Sequence, residues 1–419
     1  MNKNSRAFYG WVIVFSCVIL SAANGILTSV TSVFIKPVSE ALFVSRSAFT
    51  LCSSINMIAT MILLPVVPNL FKRFDFKTLV MAGCVVTGIS LLFFSFADSI
   101  YTFYFIAIVG GIASCFMNAV PIVILTSSWF VEKRGVATSI SFSGGGLAVI
   151  FLSPLTANLI ITYNWQTAYR VLGVIYLALT LPVVFFLIKE KPSVIGLQAL
   201  GADGQLETNR PIAKSGFTRK QTIKTKGFWI FTVGIFLSST VAFGIQQHIV
   251  SYLSDVGYAT TTAANWFAIY NIVATGARAV TGLAYDKWGI VKATIITGSL
   301  LAVSFVFIVG VAVKPILIMF ILLFGLSAGL QIVPPTYMTN KLFGDKDYSA
   351  NYGLVTTIYY LGMAVGIQLS SLSYDQFESY NTAWTVYSIM TVFMLAFWLY
   401  ARVVAKHERR RLLGENVEF

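Results

Sequence analysis

Twelve apolar stretches, each close to the roughly 20 residues that carry a helix across a bilayer, govern what this chain can fold into. They fall at 8–35, 47–69, 78–97, 101–127, 135–161, 168–189, 228–253, 262–285, 291–311, 314–339, 350–372 and 382–404. Composition agrees. The chain is 57% hydrophobic and only 11% charged, where aqueous proteins carry about 25% charged residues. So much apolar surface needs lipid as part of its solvent, and the expectation is an all-α membrane protein of twelve transmembrane helices. The first stretch follows Lys3 and Arg6 but is far longer than a signal h-region of about 7–15 residues, so it reads as a retained helix.

Charge gives the orientation. The net charge of +13 would suggest a nucleic-acid partner in a soluble protein. Here the charges are sorted by loop, which excludes that reading. With both termini in the cytoplasm, 24 of the 29 Lys and Arg lie on the cytoplasmic side. Only Lys36, Arg46, Arg170 and Lys314 lie outside, and the remaining one, Arg278, is inside a span. That bias predicts a multi-pass protein of the cell (inner) membrane with cytoplasmic termini. Cys17, Cys52, Cys84 and Cys115 sit in apolar runs without a CxxC pair. They read as reduced packing residues, and neither a metal nor a cofactor is expected.

The longest polar stretch, 190–227, separates two halves of similar length. The predicted organisation is a six-helix bundle over 1–189, a cytoplasmic linker over 190–227, a second six-helix bundle over 228–404 and a basic tail over 405–419. Two such halves predict a rocker with a substrate site between them near the bilayer midplane.

Local motifs carry a resemblance. Gly282-Leu-Ala-Tyr-Asp286-Lys287-Trp-Gly289 resembles the G-x-x-x-D-R/K-x-G loop of the major facilitator superfamily. Its glycines permit a tight turn, and Asp286 either pairs across a cytoplasmic gate or caps a helix. The corresponding first-half loop keeps a basic residue but has Lys72 where the acid is expected. Further stretches resemble one branch, the monocarboxylate transporters and oxalate/formate exchangers. These are Trp129-Phe-Val-Glu-Lys133-Arg134-Gly135, Lys191-Pro-Ser-Val-Ile-Gly196-Leu197, Lys224-Thr-Lys-Gly-Phe228-Trp229, His248 to Asp255-Val-Gly257, and Phe343-Gly344 with Tyr348 and Tyr352-Gly353. The resemblance implies the major facilitator fold, carriage of a small organic anion, and a gate role for Asp286 and Arg134.

The membrane interior points to the same chemistry. No Asp or Glu is predicted mid-helix, so the titrating carboxylate expected of many proton-driven carriers is absent. Arg278 stands alone. Unpaired at such depth it would cost about 3 kcal/mol. It therefore either binds a carboxylate through its planar fork, or snorkels and pairs with carbonyls. The branch resemblance implies the first, since that branch carries a substrate-binding Arg in its eighth helix. In the same alignment Tyr359 stands where oxalate exchangers carry a second cation, and Ala274 stands where eukaryotic members carry an Asp. A single cation suits a monocarboxylate.

Asn271, Asn118, Asn24, Gln331, Tyr359 and Tyr360 are the other candidate substrate contacts, each with a helix-packing alternative. His248 is the candidate for a coupling proton, with a structural histidine as the alternative. No clustered nucleophile or carboxylate suggests an enzyme. The expected function is transport of a lactate- or pyruvate-like monocarboxylate by alternating access, proton-coupled and monomeric. The alternatives are anion exchange of the oxalate/formate type, carriage of another organic anion, and a transporter-like sensor.

Overall fold

Helix boundaries fall where the sequence supplies caps and breakers. The computed structural model describes residues 3–28, 30–117, 119–130, 134–200 and 215–414. Among these the chain is helical, with no strand beyond two isolated bridges. It divides into two units, Met1–Val44 with Ile55–Arg210, and Ser45–Ser54 with Pro211–Phe419.

In the first unit, α1 (Lys3–Thr28) is followed by a 3-10 turn (Val30–Val33) and α2 (Ile35–Ala41). Then come α3 (Arg46–Leu63), whose first residues group with the second unit, and α4 (Val67–Arg73). After these lie α5 (Phe76–Phe94), α6 (Ile100–Ser114), α7 (Ala119–Trp129), α8 (Arg134–Thr162) and α9 (Trp165–Pro182). Asp75 starts α5 by accepting from the Thr78 N–H and hydroxyl, each at 2.8 Å. Asn164 starts α9 in the same way, accepting from the Thr167 N–H at 2.7 Å. The predicted fourth span is two helices rather than one. Pro121 has no N–H to donate to the Met117 carbonyl, and the chain turns over Cys115–Met117.

The second unit holds α10 (Arg219–Thr222), α11 (Lys226–Asp255), α12 (Thr260–Ile308), α13 (Lys314–Leu326), α14 (Thr339–Phe343), α15 (Tyr348–Phe377) and α16 (Asn381–Leu413). Helix α12 contains two predicted spans, bent at Gly289 with φ 73° and ψ 174°. That left-handed φ is where the sequence motif asked for a glycine. Among the described residues, ten helical runs are long and apolar enough to span a membrane. With the bend in α12 and the paired α6 and α7, all twelve predicted segments are helical.

The two units repeat one packing device. The first span meets the fifth at Gly144, where a Cβ would lie 2.0 Å from the Val18 carbonyl oxygen. The seventh meets the eleventh at Gly366, where a Cβ would lie 2.1 Å from the Thr240 carbonyl oxygen. Without side chains at these points the backbones pack directly.

Helix α16 runs on through the stretch read as a basic tail. Glu408 accepts from the Lys226 and Gly227 N–H groups at 2.8 and 3.0 Å, capping α11 from outside. Arg409, buried, donates to the Lys341 carbonyl and the Ser215 hydroxyl, both at 3.0 Å.

Candidate functional site

Arg278 lies on the first leg of α12, eleven residues before the Gly289 bend and so about 16 Å along the axis from it. Buried alanines at 274 and 277 flank it, and neither offers a polar partner. Its Nε is buried with no hydrogen bond. No ion pair or hydrogen bond to its guanidinium forms among the described residues.

Two tyrosines feel the field of that cation. Tyr270, two turns earlier on α12, and Tyr359 on α15 both lie within its electrostatic reach and within each other's. Tyr359 meets Phe243 edge-on at 6.0 Å and Tyr360 at 6.3 Å. Tyr270 is stacked between Phe267 and Phe324, at centroid distances of 5.9 and 4.9 Å. Its hydroxyl is fully buried beside the Gln331 side chain.

Gln331 is placed by a break in the tenth span. Regular α-helix stops at Leu326 and a 3-10 turn covers Ser327–Gln331. Pro334 and Pro335 have no N–H for the Leu330 and Gln331 carbonyls. A π turn, Pro334–Met338, follows before α14 resumes. The 3-10 turn presses on α12 so closely that a Cβ on Gly329 would lie 2.0 Å from the Thr281 hydroxyl oxygen. Irregular backbone inside an apolar span belongs where it lines a polar site or is buried in protein.

The other predicted residues divide. Asn271 is buried, and its amide donates to the Phe267 carbonyl of its own helix at 2.9 Å. Asn24 is half-buried on α1, in the first unit. Asn118 lies outside the described residues. Asp286 is exposed three residues before the Gly289 bend, with no ion-pair partner among the described residues. Arg134 opens α8, and its side chain lies outside the described residues.

His248 is not with Arg278. It is fully buried, with Nδ1 2.9 Å from the Gly244 carbonyl and Nε2 2.8 Å from the Ser371 hydroxyl. A carbonyl only accepts, so Nδ1 carries a proton and donates it to Gly244. The charges acting on it are Arg46 and Asp375.

Arg46 is the feature that loop sorting missed. It is buried, bound through both terminal nitrogens to Asp255 at 2.5 and 3.0 Å and to the Tyr380 hydroxyl at 2.8 Å. Its guanidinium lies 3.6 Å from the Tyr374 ring centroid. Asp375 accepts from the backbone N–H groups of Arg46 and Ser47 at 3.0 and 2.9 Å, capping α3. Thr50 hydrogen-bonds Ser371 at 2.6 Å, which ties this cluster to His248. Tyr270 was missed as well, although its spacing of four from Ala274 and eight from Arg278 was a readable sign of a shared face.

Comparison with known proteins adds to this geometry. The sequence profile of the Major Facilitator Superfamily matches residues 17–367. Monocarboxylate transporter 4 of Gallus gallus is 23% identical over 363 residues, covering 85% of this chain and 75% of that protein. Monocarboxylate transporter 13 of Bos taurus is 23% identical over 387 residues, covering 90% and 86%. A bacterial homologue of the human lysosomal transporter Spinster, crystallised inward-facing and unoccupied, superposes with a TM-score of 0.72 at 12% identity over the full length of both chains. That likeness concerns the fold.

Proposed function

Since the chain belongs to the Major Facilitator Superfamily and is a multi-pass membrane transporter, we propose that its cargo is a small monocarboxylate, lactate- or pyruvate-like, carried by alternating access. The observation that carries this reading is the guanidinium of Arg278, set in an apolar helix with a buried Nε and no ion-pair partner among the described residues. A carboxylate supplies the missing charge and two acceptors in the geometry of the fork. Its arrival removes the penalty of keeping a bare cation in a closing cavity, so loaded carrier crosses more readily than empty carrier.

One cation balances one carboxylate. Tyr270 and Tyr359, which lie within its electrostatic reach, are phenols rather than a second cation, so oxalate would retain an uncompensated charge. A coupling proton has two routes in this reading, His248 or the substrate's own carboxyl group. Exchange of the formate type is the alternative. The similarity to proteins named monocarboxylate transporters supports the substrate class.

The test is uptake of labelled lactate into proteoliposomes, with and without an imposed pH gradient, and with oxalate and formate as competitors. Wild type accumulates lactate, faster with the gradient if protons are coupled, and oxalate competes poorly. Arg278→Gln abolishes uptake while the protein still inserts and purifies as a folded species. Near-normal uptake by that variant overturns the proposal.

A further inference from the structure

Helix α16 sorts its last cations by face. Its buried stripe passes through Met394, Trp398, Ala401 and Ala405 and ends on Arg409, whose guanidinium is taken up by the Lys341 carbonyl and the Ser215 hydroxyl. The opposite face is exposed. It is apolar through Ile389, Phe393, Tyr400 and Val403, each more than half exposed, within a helix long and apolar enough to span a membrane. Such a stripe meets lipid. At the same spacing of three and four the stripe then turns basic, with Lys406, His407, Arg410 and Arg411 all exposed. Lys406 with Arg410, and His407 with Arg411, are four apart, so the groups form one patch. No ion pair to them forms among the described residues. Glu408, the one acid between Tyr400 and Gly414, is spent on the Lys226 and Gly227 N–H groups of α11.

The dimensions match one leaflet of a bilayer. The exposed apolar face from Val386 to Val403 is about 26 Å long, and the basic face from Lys406 to Arg411 about 8 Å. A bilayer has a hydrocarbon core of about 30 Å and a headgroup layer of roughly 5–8 Å on each side. Trp229 marks the boundary independently. It is exposed on α11 one turn inward from Lys226, and exposed tryptophans of spanning helices sit at the headgroup level. Because Glu408 caps that turn of α11, the cations around it lie at the same depth. We propose that the basic end of this stripe binds an anionic phospholipid of the adjacent leaflet. An acyl chain lies along Tyr400 and Val403, and the headgroup phosphate accepts from Lys406, Arg410 and Arg411. A zwitterionic lipid brings a cation of its own to the patch and is disfavoured. The bound lipid braces the extension whose other face caps α11 through Glu408 and holds Ser215 through Arg409.

The experiment titrates the full-length protein in detergent with phosphatidylglycerol or with phosphatidylcholine of the same acyl chains. Native mass spectrometry reads the bound lipid. Wild type prefers phosphatidylglycerol. Each cation near a lipid surface contributes about 5-fold, so Arg410→Gln with Arg411→Gln lowers affinity for phosphatidylglycerol by roughly 20- to 30-fold. Phosphatidylcholine binds this variant as it binds wild type. Both side chains are exposed, so the melting midpoint without added lipid is unchanged. Lys72→Gln with Arg73→Gln removes two exposed cations at the end of α4 instead and leaves the preference intact. Glycerol 3-phosphate, which has the phosphate without acyl chains, does not displace the lipid at equal concentration. On wild type alone, raised salt weakens binding of phosphatidylglycerol and spares phosphatidylcholine. A wild type that binds both lipids alike overturns the proposal, and so does a preference insensitive to salt. A preference kept in the Arg410 and Arg411 variant, or lost equally in the α4 control, has the same force. Displacement by glycerol 3-phosphate assigns the patch to free phosphates and overturns the lipid reading.

Discussion

Replacing Arg46 with methionine takes away a buried cation and leaves its counter-ion in place. The Arg46 side chain is 8% exposed and that of Asp255 18%. The substitution removes two bonds to Asp255, one to the Tyr380 hydroxyl and the stack on Tyr374. The bonds from Asp375 survive, because they go to backbone N–H groups. Breaking a buried ion pair from one side costs about 3–5 kcal/mol. Asp255 keeps some access to solvent, which favours the lower end, about 3 kcal/mol. In a unit of about 200 residues, each kcal/mol shifts the melting midpoint by about 2–4 °C, so the expected loss is roughly 6–12 °C. Tryptophan fluorescence of the purified protein in detergent measures it. The double variant Arg46→Met with Asp255→Leu removes both members of the pair and melts above Arg46→Met alone. Additive losses in the double variant would refute the argument, since independent sites add and a coupled pair does not.

Two other substitutions test separate parts of the structure. Gly366→Ala drives a methyl into the Thr240 carbonyl of α11 and destabilises by about 1–3 kcal/mol, whereas Gly353→Ala, which meets nothing within 4 Å, is neutral or stabilising; thermal melts of the pair side by side decide the point. Asp75→Ala lowers stability at pH 7 by about 0.5–1 kcal/mol through loss of the α5 cap. The Thr78 N–H, then its hydroxyl, hold the Asp75 carboxyl below its ordinary value. The cap's contribution is therefore complete above the unfolded value near 4 and is lost as pH falls through the folded one. Melting curves of the variant and wild type should converge on acidification, and a gap that widens at low pH would contradict the assignment.

The helices were legible because lipid leaves a spanning segment almost no choice. Twenty apolar residues must close their own hydrogen bonds, and the caps at Asp75 and Asn164 and the turn at Gly289 are written locally. The breaks were legible in principle too. Pro121, Pro334 and Pro335 remove donors at fixed offsets, but a count of hydrophobicity passes over them because proline does not make a stretch polar. Arg278 was found for the opposite reason, since a charge in an apolar run is conspicuous whatever surrounds it.

Arg46 was not found, because at the end of a span a lone arginine looks like any loop charge. Its partners, Asp255, Asp375 and Tyr380, are more than two hundred residues away in sequence. Tyr270 escaped for a related reason. A tyrosine among phenylalanines reads as packing, and only the burial of its hydroxyl beside Gln331 marks it out.

By itself, then, the sequence determined the apolar segments that become helical, the turn at Gly289 and the presence of one cation inside a span, all of which depend on residues within a few turns of each other. The tertiary structure decided which polar groups share the surroundings of that cation. It assembled Arg278, Tyr270, Tyr359 and Gln331 from three segments, and it set His248 apart with Arg46. Such groupings depend on how helices distant in sequence pack through Gly366 and the break before Pro334, and periodicity along one helix does not encode that.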